Sequence, residues 1–205
     1  MVKILNWNIA GANTKKAALI AHSKTENYDL ITLQETLLNR AKKLKLNGYT
    51  TYTTPHENTD RGLAILIRNS IPAKRITNPI SCGNNVEVLA VTVTLQNINL
   101  DIYTVYRKLS HSNTGELDLT QLFANATNSN VLVMGDFNAH HNILSSPSPT
   151  NEAGTHIAQS LDDFPDIALL NNGEQTHKKG PIKLNLHICT SKKSDKMGST
   201  SYLNE

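Results

Sequence analysis

The chain has 205 residues, 39% of them hydrophobic and 18% charged, with a formal net charge of +3. These proportions fit one ordinary globular domain with a sizeable core and exclude low-complexity and fibrous classes. The mild positive charge admits a polyanionic partner without requiring one, and no apolar run approaches the ~20 residues of a membrane-spanning helix. In chain order, the first expected strand starts almost at once, at Val2-Lys3-Ile4, so no signal peptide is expected. Leu5, Trp7 and Ile9 alternate there with Asn6 and Asn8, as in a strand with one buried face. Ala17, Ile20, Ala21 and Lys24 then share one helical face, with Asn13 or Thr14 as cap. The apolar run from Leu30 to Leu33 ends at Gln34-Glu35.

Further along, Leu63, Ile65 and Ile67 alternate with Ala64 and Leu66, which predicts a strand buried on both sides. Leu89, Val91, Val93 and Leu95 form another strand pattern, and after the turn-like Gln96-Asn97 a strand runs from Ile98 to Tyr106. Leu119, Leu122, Phe123 and Ala126 have the spacing of a buried helical stripe. Val131 to Met134 is an apolar run stopped by Gly135-Asp136, and Ser145 to Asn151 reads as a surface loop. Ile157, Leu161 and Phe164 predict a third helix ended by Pro165, followed by an apolar run from Ile167 to Leu170. Many strands with a few helices between them point to two packed sheets covered by helices. Cys82 and Cys189 lie in no metal or redox motif and read as inert thiols in a reducing, intracellular setting. The paired lysines at 15–16, 42–43, 178–179 and 192–193 read as solvated surface.

The chemistry-bearing candidates stand where apolar strands stop. Asn8 closes the first, Glu35 follows the second, and Asp136 with Asn138 follows the run at Val131. Side chains at strand ends can converge from distant positions on a rigid floor. A carboxylate there can hold a hard divalent cation, while a second carboxylate and a carboxamide orient a water for attack on phosphorus. Taken singly, each is more often a surface residue.

Trp7-Asn8, Gln34-Glu35 and Gly135-Asp136-Phe137-Asn138-Ala139-His140 resemble, in order and spacing, the signature segments of the endonuclease/exonuclease/phosphatase family. The Ala-His-His that follows Asp-Phe-Asn is similar to the endonuclease domains of jockey-type non-LTR retrotransposons. Tyr28 to Ile31, Arg61 to Ile67, Ile102 to Tyr106, Asn151 to Gly154 and Leu169 to Thr176 resemble further family segments, so the likeness covers roughly residues 2 to 186. It implies a DNase I-like α/β (α+β) fold. That fold is a four-layer sandwich of two mainly antiparallel sheets flanked by helices, expected here to lack its final strand. It also implies a Mg²⁺-dependent DNA endonuclease, with Mn²⁺ as a substitute ion, DNA as partner, a nuclear setting, and neither a small-molecule cofactor nor a membrane. Carried over by position, Glu35 is the main metal ligand and Asn8 an auxiliary one. Tyr106 lies against the scissile phosphate, Asp136 orients or deprotonates the attacking water, and Asn138 bonds that water or the phosphate. His140 is expected to be a loop contact to substrate phosphate, since adjacent histidines with no third ligand do not suggest a transition-metal site.

The likeness breaks in two places. Asn185, within Ile182-Lys183-Leu184-Asn185-Leu186, stands where the family has an Asp that buttresses a catalytic histidine, and a neutral carboxamide cannot stabilise an imidazolium as a carboxylate does. No Ser-Asp-His segment follows: Ser194-Asp195-Lys196 comes too soon and ends in Lys, and His187 lies inside an apparent strand. Residues 1–190 are therefore expected to form the domain, C-terminally truncated, and 191–205 a polar, disordered tail without strand character. Impaired nicking follows as an expectation. The alternatives are activity on another phosphate ester, or a catalytically dead remnant that binds nucleic acid through charge alone.

Overall fold

The computed structural model describes residues 2–57, 60–109, 117–146 and 148–171, together with the backbone of Asn185–Thr190 and Thr200–Tyr202. The strands are β1 (Ile4–Asn8), β2 (Leu30–Gln34), β3 (Tyr49–Thr53), β4 (Ala64–Arg68), β5 (Ala73–Arg75), β6 (Val86–Leu95), β7 (Ile98–Arg107), β8 (Val131–Asp136), β9 (Ile167–Leu169), β10 (Asn185–Thr190) and β11 (Thr200–Tyr202). The helices are α1 (Lys16–Glu26), α2 (Thr120–Ala126) and α3 (Glu152–Asp163). One sheet has the order β11-β1-β2-β4-β3 and the other β5-β6-β7-β8-β10-β9. Pairing is antiparallel except for β1 with β2, β1 with β11, and β7 with β8. This is the expected DNase I-like sandwich of two mainly antiparallel sheets with helices outside.

Strand alternation builds the layers. On the inner faces, Ile4, Leu30, Ile65, Ile67, Leu89, Val91, Ile102, Leu132 and Met134 pack between the sheets. The opposite faces of β1, β2 and β4 (Leu5, Trp7, Ile31, Leu33, Leu66) pack with Leu19 of α1 and with Leu38, Leu44 and Leu46 of the loop after β2. The opposite faces of β7 and β8 (Tyr103, Val105, Val131, Val133) pack with Leu122 and Phe123 of α2 and Ile157 of α3. Burial of both strand faces explains why β1 and β2 are almost wholly enclosed, where alternation alone predicted one buried face for β1.

Three expectations are corrected. Helix α1 buries Leu19 and Ser23, while Ala17, Ala21 and Lys24 are exposed, and neither Asn13 nor Thr14 caps it: the N-cap position is Lys15, with no side-chain cap bond. Its apolar residues, 17–21, are consecutive and so spread around the helix, and docking selected the face. The stretch 192–205 does carry strand structure, because Thr200–Tyr202 pairs in parallel with β1, Ile4 opposite Thr200. The exposed edge of β1 offers unpaired backbone groups to any passing segment, whatever its side chains. The expected surface loop from Ser145 to Asn151 is seen as one, with Ser145, Pro149 and Thr150 exposed, and Asn151 ties its end to the protein, as described below. Positions 191–199 and 203–205 lie outside the described residues. Among the described residues no helix is long and apolar enough to cross a membrane.

Candidate active site

Towards one end of the sandwich the inner faces change from apolar to polar. On β1, Ile4 gives way to Asn6 and Asn8; on β2, Leu30 to Thr32 and Gln34; on β7, Ile102 to Thr104 and Tyr106; on β8, Met134 to Asp136. Because β1 runs parallel to β2 and β7 to β8, these polar residues gather at the C-terminal ends of both strand pairs. Asn6 Oδ1 accepts from Thr32 Oγ1 at 2.7 Å and Gln34 Nε2 at 2.8 Å, and Gln34 Nε2 reaches Thr104 Oγ1 of the other sheet at 2.7 Å. This buried polar seam fixes the two sheets against each other beneath the site.

Above the seam lie the residues singled out from sequence. Asn8 Nδ2 donates to Glu35 Oε1 at 2.8 Å and to Asp136 Oδ2 at 2.7 Å, joining carboxylates that lie 101 positions apart across the two sheets. Glu35, Asp136 and Tyr106 are all buried. The Tyr106 phenol is hydrogen-bonded to Glu35, and its ionisation is pushed far up, first by burial and then by the charges of Glu35 and Asp136. It therefore stays a neutral O–H donor at any working pH. The Asn138 backbone N–H donates to Asp136 Oδ1 at 3.1 Å, and its Nδ2 donates to the Arg107 carbonyl at 2.6 Å. With the backbone N–H and one Nδ2 hydrogen committed, Asn138 Oδ1 is the side chain's acceptor.

Backbone geometry aims these side chains. Glu35 has φ +51° and Asn138 φ +46°, in the left-handed region that non-glycine residues enter at a cost of roughly 1–3 kcal/mol each. Strict alternation would point Glu35 to the outer face, away from Gln34. The left-handed turn at Glu35 brings it to Asn8 instead. Gly135 permits the parallel β7–β8 pairing at this point, since a Cβ there would stand 1.9 Å from the Val105 carbonyl oxygen.

Three residues that sequence reading gave no role complete the surroundings. Arg61 donates to Glu35 Oε2 through Nη2 at 2.8 Å and Nε at 3.3 Å. Glu87, opposite Tyr106 in the β6–β7 register, accepts from the backbone N–H of Arg61 at 2.7 Å and of Gly62 at 2.9 Å. Asn151 caps α3 through Gly154 N–H at 2.9 Å, accepts from His140 N–H at 2.9 Å, and donates to the Asn138 carbonyl at 2.9 Å. The sequence signal available was an asparagine just before a helical stripe for Asn151, and an acid within an otherwise apolar strand for Glu87.

His140 stands on the same loop, and its Nδ1 is bonded to Ser146 Oγ at 2.9 Å. Asn185 lies opposite Asp136 in the β10–β8 register, which puts its backbone at the site end of the sheet; its side chain lies outside the described residues, as do Ile182 to Leu184. Cys82 is buried and its thiol is pushed up to about 12 by burial, in keeping with an inert thiol.

Two carboxylates with amide and phenol groups form an all-oxygen and amide donor set. Among the described residues no group of three or more His, Cys, Asp or Glu is placed to enclose a metal. The set fits a hard divalent cation held by few protein oxygens and several waters, because Asn8 places its two amide hydrogens where the carboxylates attract positive charge.

Residues 5–181 match the family model described as Endonuclease/Exonuclease/phosphatase family. No curated protein matches the chain. Among solved structures it is similar to the endonuclease domain of TRAS1, a telomere-specific non-LTR retrotransposon, at 14% identity and TM-score 0.64 over 91% of this chain and 83% of that one. It is similar to an AP endonuclease from Archaeoglobus fulgidus at 13% identity and TM-score 0.65, over 93% and 87%. A 3′ phosphatase from Neisseria bound to a product DNA hairpin has 13% identity and TM-score 0.64, over 91% and 86%. The match over most of the length, on a sandwich of this topology, places the chain in the endonuclease/exonuclease/phosphatase family.

Proposed function

We propose that this protein hydrolyses phosphodiesters in DNA with the help of a divalent cation, Mg²⁺ or Mn²⁺, as an endonuclease of the non-LTR retrotransposon kind. The observation that carries the proposal is the Asn8 amide bridging Glu35 and Asp136 from opposite sheets, beside the neutral phenol of Tyr106. Such a group serves attack on a phosphate better than a structural role. Buried carboxylates are costly to place, and here two from distant strands are gathered around one amide donor.

Each residue has one task in this reading. Glu35 would hold the cation through its carboxylate, with the Asn8 amide beside it as an auxiliary ligand or phosphate contact. Asp136 takes a proton from the attacking water, and Asn138 Oδ1 accepts the water's other hydrogen, fixing its lone pair towards phosphorus. Tyr106 donates to a non-bridging phosphate oxygen, where negative charge grows as the bond to the leaving oxygen lengthens. A divalent cation held there would supply further charge neutralisation and make coordinated water easier to ionise. Binding to DNA would add the salt-sensitive attraction of basic side chains for the backbone.

The chain carries Asn185 where the resemblance leads one to expect Asp, and a neutral carboxamide cannot stabilise an imidazolium as a carboxylate does. Nicking by this polypeptide is therefore expected to be slow. The direct test is relaxation of supercoiled plasmid with Mg²⁺, comparing the chain with Glu35→Ala. Slow nicking that Glu35→Ala abolishes is the expected result. Nicking that survives this substitution would remove the proposal, and release of phosphate from inositol phosphates without any nicking would reassign the substrate.

A further inference from the structure

Arg61 donates twice to one oxygen of Glu35, Oε2, while Oε1 takes the Asn8 amide. The Glu35 side chain is 5% exposed and that of Arg61 45%, so the guanidinium is the solvent-side partner of a carboxylate that is otherwise enclosed. A divalent cation on Glu35 would face this positive charge at a few ångströms. The two cations compete for one carboxylate.

The backbone that carries Arg61 is held on three sides. Its N–H and that of Gly62 donate to the Glu87 carboxylate at 2.7 and 2.9 Å, and its carbonyl accepts from Leu37 N–H at 2.9 Å. Gly62 has φ +83° and lies so close to Thr36 that a Cβ would meet Thr36 Oγ1 at 2.8 Å. The anchor is therefore rigid and only the half-exposed side chain is left to move. Nη1 takes part in neither bond to Glu35. A guanidinium forks onto phosphate as readily as onto carboxylate.

We propose that Arg61 is an exchangeable counter-ion, which neutralises Glu35 in the metal-free protein and passes to a substrate phosphate when a divalent cation takes its place. This inference rests on the reading of Glu35 as the metal-holding carboxylate. Metal binding and DNA binding then assist each other through one side chain, because the ion releases the arginine that DNA needs.

Mn²⁺ binding to the full chain without DNA, followed by electron paramagnetic resonance, tests the first half. Arg61→Gln should bind Mn²⁺ about tenfold more tightly than wild type, and Arg61→Lys, which keeps the charge, should stay within about threefold of wild type. Fluorescence anisotropy with a phosphorothioate DNA duplex, with and without Mn²⁺, tests the second. Mn²⁺ should tighten DNA binding by wild type, and that tightening should shrink about fivefold or more in Arg61→Gln. Unchanged or weaker Mn²⁺ binding in Arg61→Gln overturns the exchange and leaves Arg61 as an orienting partner of Glu35. An equal Mn²⁺-dependent tightening in both proteins overturns the passage to phosphate. Glu35→Gln separates the two levels: if it binds Mn²⁺ as wild type does, the reading of the site itself fails.

Discussion

At the residue scale the site depends on side chains whose protonation and aim are set by their neighbours. Tyr106 is kept neutral by burial beside two carboxylates, so its value lies in one donated hydrogen bond. Tyr106→Phe should slow nicking about 100-fold, in the range found for loss of one donor to a developing oxyanion, while the fold survives. A rate within a factor of two of wild type would move Tyr106 out of the site. Glu87 makes a different prediction. Burial raises its carboxyl above the ordinary 4.5, and the N–H groups of Arg61 and Gly62 only partly offset this. The folded state thus binds that proton more tightly than the unfolded chain does, and the gain is lost as pH rises through the raised value. The stability difference between wild type and Glu87→Gln, from urea midpoints, should fall as pH climbs from about 4 to about 7. A flat difference would show that Glu87 titrates normally. The residue types at Asn8, Glu35, Asp136 and Asn138 were legible because each closes an apolar run. Arg61 and Glu87 were not, since a lone Arg before Gly and a lone Glu in a strand look like surface until their partners are known.

At the element scale, α3 and the loop after β8 act as one piece. Asn151 caps the helix and holds both the Asn138 carbonyl and the His140 N–H, while Gly154 lets the helix approach so closely that a Cβ would be 2.0 Å from the His140 carbonyl oxygen. Asn151→Ala should cost about 1–3 kcal/mol in urea unfolding, from a lost cap and two further bonds. It should also lower kcat more than it raises KM, because Asn138 loses its support while the DNA-facing surface is untouched. Loss of stability with an unaltered kcat would confine Asn151 to a structural role. Helices α2 and α3 were legible from their periodic stripes, Leu122, Phe123 and Ala126 in one and Ile157 with Leu161 in the other. The buried face of α1 was not, because Ala17, Ile20 and Ala21 differ too little from Ala18 and Leu19 in size and position for pattern alone to choose.

At the scale of the whole molecule, the sandwich turns separate strand ends into one surface. The charge of +3 is small, so on the proposed reading attraction to DNA comes from local groups and counter-ion release rather than a strong overall field. DNA affinity should therefore fall steeply with salt, by roughly tenfold for each doubling of salt if about four phosphates are engaged, and show little sequence preference. Filter binding across a salt series measures this, and an affinity indifferent to salt would remove the DNA reading.

The sequence by itself determined the strands that would be buried, the two clear helical stripes and the residues that close each apolar run, because periodicity and turn chemistry act over a few neighbouring positions. Only the tertiary structure decided that Asn8 joins Glu35 to Asp136, that Glu35 turns inward through a left-handed backbone, that Arg61 lies on its carboxylate, and that Thr200–Tyr202 pairs at the edge of β1. Those contacts join residues far apart along the chain, and sequence spacing does not encode the distance between two strands until both are packed against a common core.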